Sequence, residues 1–493
     1  MEYINFALSS ECKPILANPE DTLDLDRSVL DSRCLAHSEF LENISRFMSA
    51  DYPLPPEESA LVEPLLSIRS DGTYVLSLSG GVDSMCMLVL LRKARVPFVA
   101  VHIRHSSRIE DTRKELDWVR FVCRRLHVPL YYHHVLVARP HGEEKGEISR
   151  DEFEDYTRRI RFGMYRKAAL LHNGKAEEVC VLIGHHMDDV DENRIAELGK
   201  GNLIDIDGMT EEGETGNSLS SVTQLRPFCR DVRKCQLRQF AIKYGIPHMK
   251  NSTPKWSKRG WIRDVLDQDD MKRGRFVVDL EILGSVSRRA DCAVNLVCEK
   301  WAQSCPIVTQ SISADTKSKK FVLEKTCEVD FDQLIQLVSE SVVPAIKEMA
   351  GLVNEFAPMW NTSFKKRAEE RQTNSCPIQE IRHVNDDGDE LLVLSLVRAL
   401  QVFFGRLKHV LGIEKFVPRK SVAQLVELTK SGRACVTWKI NRVDVHMIRV
   451  QGKWYVMDTV ELEKVVQGMF AGSREAFRKC VVSNPDKIRL GSC

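Results

Sequence analysis

From about residue 73 the chain alternates short apolar runs with longer amphipathic stretches, and this alternation constrains the fold more than any other feature. Tyr74–Leu78 leads into Ser84–Lys93, Phe98–Ile103 into Thr112–Leu126, Leu130–Val137 into Asp151–Leu171, and Val179–Ile183 into Asp188–Leu198. Strand-length runs separated by helix-length segments give βα units and a parallel sheet. The expected fold class is α/β, a doubly wound parallel sheet, with helical and small α+β domains after it. Such sheets bind ligands just past the carboxyl ends of their strands, so the functional residues should lie there.

Composition narrows the class. With 493 residues, 71 Lys+Arg against 70 Asp+Glu, 43% hydrophobic and 29% charged, the chain reads as globular with more than one domain, not as collagen, a coiled-coil rod or a disordered tail. The longest apolar run, Met85 to Leu91, ends at Arg92-Lys93, far short of the roughly 20 residues that cross a bilayer, so no membrane partner is expected. The first thirty residues carry Glu2, Glu11, Glu20, Asp21, Asp24 and Asp26 but only Lys13 and Arg27, the reverse of a basic transit peptide. Fifteen cysteines, scattered and without CxxC pairs, fit reduced thiols in a cytoplasmic protein better than a disulfide framework. The near-neutral total conceals segregation. Residues 1–70 hold 13 acidic and 5 basic residues, whereas 226–275 hold 14 basic and 5 acidic, a stretch able to neutralise phosphates.

The sharpest motif is Ser77-Leu78-Ser79-Gly80-Gly81-Val82-Asp83-Ser84, directly after the first strand-like run and opening the first helix-like one. Gly80 and Gly81 let main-chain N–H groups approach an anion, and the helix terminus adds a favourable partial charge. Ser79 and Ser84 supply hydroxyls for phosphate oxygens, and Asp83 is placed to orient Mg²⁺ bound to the phosphates. A strand-to-helix turn capped by Ser and Asp would account for a bare SGG, but not for the whole SGGVDS in this position. The GK[ST] of a Walker A loop is missing, which argues against ordinary γ-phosphate transfer. These residues resemble the PP-loop ATP pyrophosphatase superfamily, whose members cleave ATP between the α and β phosphates and adenylate a substrate oxygen.

A second set of residues chooses among that superfamily. His102 and His105 stand three apart at the end of the second run. Arg158 and Arg161, within Tyr156–Phe162, share one face of a helix and present planar donor forks suited to carboxylate or phosphate. In Gly184-His185-His186-Met187-Asp188-Asp189-Val190-Asp191-Glu192, Asp189 and Glu192 offer two carboxylates on one face, suited to Mg²⁺ or to a substrate ammonium, while Asp188 fits a helix cap or a ligand equally well. Together they resemble the tRNA(Ile)-lysidine synthetase family: two histidines after the second strand, an RxxRY-like segment with Phe162 in the aromatic position, and an HHxDDxxET-like segment. Asn193 replaces the family's Thr, and Gly199-Lys200-Gly201 stands where Arg-Gly is common. Likeness continues through Gly208-Met209, Arg226-Pro227-Phe228 and Asn251 to Arg263, where KRGWIRD is similar to a degenerate RNRIR.

The resemblance implies an ATP-dependent ligase that adenylates the C2 oxygen of the wobble cytidine in a tRNA(Ile) with a CAU anticodon. Free L-lysine then attacks, and pyrophosphate and AMP leave. It implies catalytic roles for Asp83, Arg158, Arg161, Asp189 and Glu192, and ATP binding by Ser79, Gly80, Gly81, Val82, Asp83, Ser84, His102, His105 and His185. Mg²⁺ would be held by Asp83 and Asp189, and tRNA by Arg226, Arg259 and Arg263. The competing readings are a PP-loop tRNA thiolase, against which the lack of cysteine pairs speaks, and a tRNA-binding protein without catalysis, which would not need the acid pair.

The expected organisation is an acidic extension over 1–70, the PP-loop adenylating domain over 71–265, a helical region of unassigned role with linkers over 266–387, and a tRNA-contacting α+β region over 388–493. Residues 207–222 read as an exposed loop, and 307–320 and 366–390 as linkers. Phe331–Leu352 and Leu391–Val410 read as helices, and Ala434–Trp438, Val443–Val450 and Trp454–Met457 as strands.

Overall fold

The computed structural model describes residues 26–34, 37–68, 74–105, 109–135, 150–173, 179–204, 206–207, 209, 212–215, 222–250, 258–266, 270–304, 307–308, 326–329, 331–371, 380–384, 388–407, 435–440, 443–450 and 453–458. The chain forms two compact units, Met1–Asn193 with Gly208–Arg263, and Arg194–Asp207 with Asp264–Cys493.

The first unit is built on six strands: β1 (Tyr74–Ser77), β2 (Phe98–His105), β3 (Leu130–Val135), β4 (Val179–Leu182), β5 (Glu212–Thr215) and β6 (Val222–Leu225). Their order is β3-β2-β1-β4-β6-β5. The first five in that order run parallel, and β5 pairs antiparallel with β6 at the edge. Alternation along each strand feeds two cores. Leu76, Ala100, Leu130 and Leu182 face one, and Val75, Val99, Val101, Tyr131 and Val181 face the other. The α/β doubly wound parallel sheet expected from the sequence is therefore present. The loop expected over 207–222 contains β5, an edge strand whose sequence, Glu-Gly-Glu-Thr, has no apolar alternation to announce it.

Helices α1 (His37–Met48), α2 (Pro56–Leu66), α3 (Val82–Lys93), α4 (Ile109–Arg125), α5 (Arg150–Asn173), α6 (Met187–Leu198), α7 (Lys234–Tyr244) and α8 (Lys258–Leu266) follow in chain order. Helix α3 is apolar on nearly every side because it lies inside the larger core, with Met85 to Leu91 all buried. Helix α5 supplies Ile160, Met164, Tyr165, Ala168 and Ala169 to the opposite core. The acidic segment before β1 also enters the larger core. Phe40, Ile44 and Phe47 form one stripe of α1, and Phe47 lies 4.7 Å from the Tyr244 ring and 5.3 Å from Phe240. Buried Glu58 of α2 accepts hydrogen bonds at Oε1 from Lys243 and from the Tyr244 hydroxyl at 2.6 Å, which offsets part of the cost of burying the carboxylate.

In the second unit, α9 (Asp270–Ser304), α10 (Phe331–Ser341), α11 (Val343–Glu370) and α12 (Gly388–Leu407) pack through Phe276 against Trp360 and Trp301 against Phe403, with centroids 5.5 and 4.3 Å apart. The helix expected over Phe331–Leu352 is two helices. Pro344 sits in the first turn of the second, where its missing N–H costs nothing. Helix α11 then runs through Lys365 to Glu370, into a stretch expected to be a linker. Strands β7 (Ile307–Val308), β8 (Thr326–Val329), β9 (Cys435–Ile440), β10 (Val443–Val450) and β11 (Lys453–Asp458) form an antiparallel sheet ordered β7-β8-β11-β10-β9. Among the described residues no helix is long and apolar enough to cross a membrane.

Candidate active site

Chain order reverses at β1, whose neighbours are β2 on one side and β4 on the other, so the loops after β1 and β4 meet at the switch point of the sheet. Their approach is close. A Cβ on Gly184, just after β4, would come within 3.1 to 3.2 Å of the backbone of Asp83 and Ser84. In the loop after β1, Gly80 adopts φ +82°, a left-handed conformation that side chains disfavour, and its carbonyl accepts from the Met249 N–H at 2.9 Å. Gly81 is the N-cap of α3 and makes no side-chain cap bond, which leaves the first turn of the helix as an anion site. Ser84, buried, donates to the Gly81 carbonyl at 3.1 Å, and its oxygen lies 3.0 Å from the exposed Ser79 hydroxyl. His102 donates from Nδ1 to the Leu78 carbonyl at 2.8 Å and fixes the entry to the loop.

The loop after β4 is built from charged side chains. His186 is fully buried, with Nε2 at 3.4 Å from Asp83 Oδ1 and 3.3 Å from Asp189 Oδ2, and Nδ1 at 3.5 Å from Asp188 Oδ2. Burial alone would drive its pKa down, but these carboxylates overcome that and hold it at about 9. Its neighbour His185 behaves oppositely. Burial, with Arg259 and Arg226 nearby, lowers it to about 4 despite Asp189, so two adjacent histidines carry different charges at neutral pH. Asp83 is pushed up by burial, yet His186 and the Lys234 ammonium, 3.2 Å from its Oδ2, bring it below the usual carboxylate range. Asp188 is held low in the same way and accepts the Lys234 N–H at 2.7 Å.

Beyond this cluster, Arg263 of α8 bonds Glu192 through Nε and Asp189 through Nη2 at 3.0 Å, and Arg259 lies 3.8 Å from Glu192. Glu192 is nearly fully buried, and burial raises its pKa against the pull of Arg263. Of the residues singled out in the sequence, Ser79 to Ser84, His102, His185, Asp189 and Glu192 thus come together at the strand ends, with Arg259 and Arg263 turned onto the acid pair. Arg226 stays half-buried and donates to Gln224 at 2.6 Å. Arg158 and Arg161 are exposed on α5. Arg158 lies over the Phe162 ring at 5.0 Å, and burial raises the Tyr165 phenol, an effect that nearby Arg161 opposes; the Tyr165 hydroxyl is 2.7 Å from the Ser77 hydroxyl at the end of β1. His105 closes β2, and its side chain lies outside the described residues. Two residues that sequence reasoning passed over, His186 and Lys234, hold the centre of the network. The repeated His of the segment after β4 was the available signal for the first; nothing local marked the second.

Among the described residues no group of three or more His, Cys, Asp or Glu forms a metal cage. Asp83 and Asp189 nevertheless converge on one cationic position, now taken by His186 Nε2, and Mg²⁺ needs only one or two carboxylates when phosphate and water complete its octahedron. The donors present fit that ion.

An uncapped helix terminus behind a left-handed glycine, at the switch point of a parallel sheet and flanked by carboxylates, is suited to receive the phosphates of a nucleotide. Residues 57–269 match the family described as a PP-loop domain. Beyond that domain match, the chain is similar to tRNA(Ile)-lysidine synthases. It is 27% identical over 190 residues to such a synthase of Chlamydia muridarum, covering 38% of this chain and 53% of that one. With that of Rhodopirellula baltica it shares 24% over 257 residues, 48% and 62% of the two chains. With that of Chlamydia abortus the identity is 31% over 156 residues, 31% and 44% of the two. The chain thus spans about half the length of the curated relatives it matches. A U34-tRNA thiolase of Methanococcus maripaludis superposes at a TM-score of 0.34 and 16% identity, over 50% of this chain and 80% of that one, which carries no functional weight.

Proposed function

We propose that the protein is a tRNA(Ile)-lysidine synthetase: it adenylates the C2 oxygen of the wobble cytidine of a CAU-anticodon tRNA with ATP, then joins lysine to C2. The observation that carries this reading is the meeting of the phosphate loop with the Asp189 and Glu192 acid pair at the strand ends. The named relatives favour lysine over other acceptors.

The chemistry makes two demands. In the first step charge on the triphosphate must be neutralised, which the N–H groups at the start of α3, the Ser79 and Ser84 hydroxyls and His186 suit. Mg²⁺, held by Asp83 and Asp189, would supply further charge neutralisation on the phosphates. In the second, an ε-ammonium must be bound and must lose a proton. Glu192, raised by burial, is the better proton acceptor of the acid pair. Arg263 already occupies both carboxylates, so the incoming amine shares or displaces a guanidinium. Exposed Arg158 and Arg161 are suited to the carboxylate of lysine or to the adenylate.

The test is nucleoside mass spectrometry after incubating the protein with a cytidine-bearing anticodon transcript, labelled lysine, ATP and Mg²⁺. Lysidine is expected. Thiocytidine, or no modified base, overturns the proposal.

A further inference from the structure

We propose that Lys234 is the diphosphate-binding cation of the phosphate loop. Its ammonium, held on Asp83, swings to the β-phosphate end of a bound nucleotide. This rests on the nucleotide-binding reading above and adds to it a residue outside the SGGVDS motif.

Lys234 opens α7 and lies 151 positions along the chain from Asp83, yet its Nζ is 3.2 Å from Asp83 Oδ2. Both side chains keep limited access to solvent, 13% and 23%, so the pair lies at the rim of the loop and not inside the core. The base of the side chain is fixed independently of its head. The Lys234 N–H is committed to Asp188 Oδ2 at 2.7 Å, the preceding Arg233 is bonded to Asp191, and α7 is anchored by buried Leu237, Phe240 and Tyr244. Only the flexible four-carbon stem is at liberty to move, and an ammonium on such a stem is a mobile point charge well matched to phosphate.

Asp83 follows Val82 at the head of α3, within one turn of the N–H groups that would receive the anion. That carboxylate also faces His186 at 3.4 Å. A divalent cation taking Asp83 as ligand would repel the ammonium beside it, and the nearest new anion is the phosphate bound by the same loop. Lys234 then neutralises the part of the nucleotide that departs, while AMP makes no use of it. A purely structural Lys234, pinning α7 to the loop, would affect both ends of the nucleotide alike.

The experiment is calorimetric titration of the full chain with magnesium pyrophosphate and, separately, with AMP, alongside thermal melts. Lys234→Met should weaken pyrophosphate by about tenfold or more, the equivalent of one charge-assisted hydrogen bond, with AMP unchanged. Lys234→Arg should restore most of the lost affinity. Equal weakening of both ligands, an unchanged pyrophosphate affinity in Lys234→Met, or a wild-type chain that binds magnesium ATP but not pyrophosphate overturns the inference. A wild-type chain that fails to bind magnesium ATP instead overturns the reading on which it rests.

Discussion

The loops after β1 and β4 meet at the same point of the sheet but are made in opposite ways. The first is a backbone device: small residues, one left-handed glycine and an uncapped helix end. The second is a side-chain device, in which His186, Asp188, Asp189 and Glu192 are all buried and each needs a partner of opposite charge. A backbone device is specified by a short contiguous motif. A buried charge network depends on residues far along the chain, here Lys234 and Arg263, and fails as a unit when one member is lost.

The largest expected effect therefore falls on the second loop. Arg263→Ala leaves Glu192 and Asp189 buried without their main cation and should cost about 3–5 kcal/mol of stability in urea unfolding. Adding Glu192→Gln should recover part of it, and a merely additive loss in the double variant would break the contrast. Next comes pH. His186 is raised from 6.5 to about 9 in the fold, so the protonated imidazole stabilises fully below pH 6.5, and this stabilisation is lost as pH rises through 9. Up to about 3 kcal/mol should disappear over that window, and His186→Gln should flatten the slope.

Smaller effects fall where the second loop touches the first, and on the first loop itself. Gly184→Ala places a Cβ against the backbone of Asp83, which cannot yield as a side chain does, at a cost of about 1–3 kcal/mol in thermal melts. Ser79→Ala removes one hydroxyl from an exposed position and should change stability by about 0.5–1 kcal/mol or less, while still weakening ATP in calorimetry. If Ser79→Ala destabilised the fold as much as Arg263→Ala, the two loops would not differ in kind.

The same contrast explains what the sequence disclosed. The parallel sheet was legible because β1, β2 and β4 are contiguous apolar runs followed by helix-length segments, and the phosphate loop because SGGVDS stands between such a pair. The packing of α1 was not. Phe40, Ile44 and Phe47 are interspersed with Glu42 and Arg46 and preceded by Glu39, and their partners Phe240 and Tyr244 lie about two hundred positions away in the chain, so charge dominated the reading. Arg259 and Arg263 fit a phosphate-binding basic stretch by composition, and only the fold shows them turned onto Glu192. His185 and His186 are adjacent and alike in type. Their opposite shifts follow from burial and from what each faces, the Arg259 and Arg226 guanidiniums lowering His185 and three carboxylates raising His186, information that no local pattern contains.

The Gly80 carbonyl bonds the Met249 N–H, and the chain on either side of Met249 is held in turn by Val29 and Asp31, through Lys250 N–H at 3.1 Å and the His248 carbonyl at 3.0 Å. Residues upstream of the family match therefore act as a splint behind the nucleotide loop. A shortened version begun at the domain border, near residue 57, would keep every motif and lose the brace that sets the curvature of the turn. Such a fragment should bind nucleotide more weakly than its intact letters suggest.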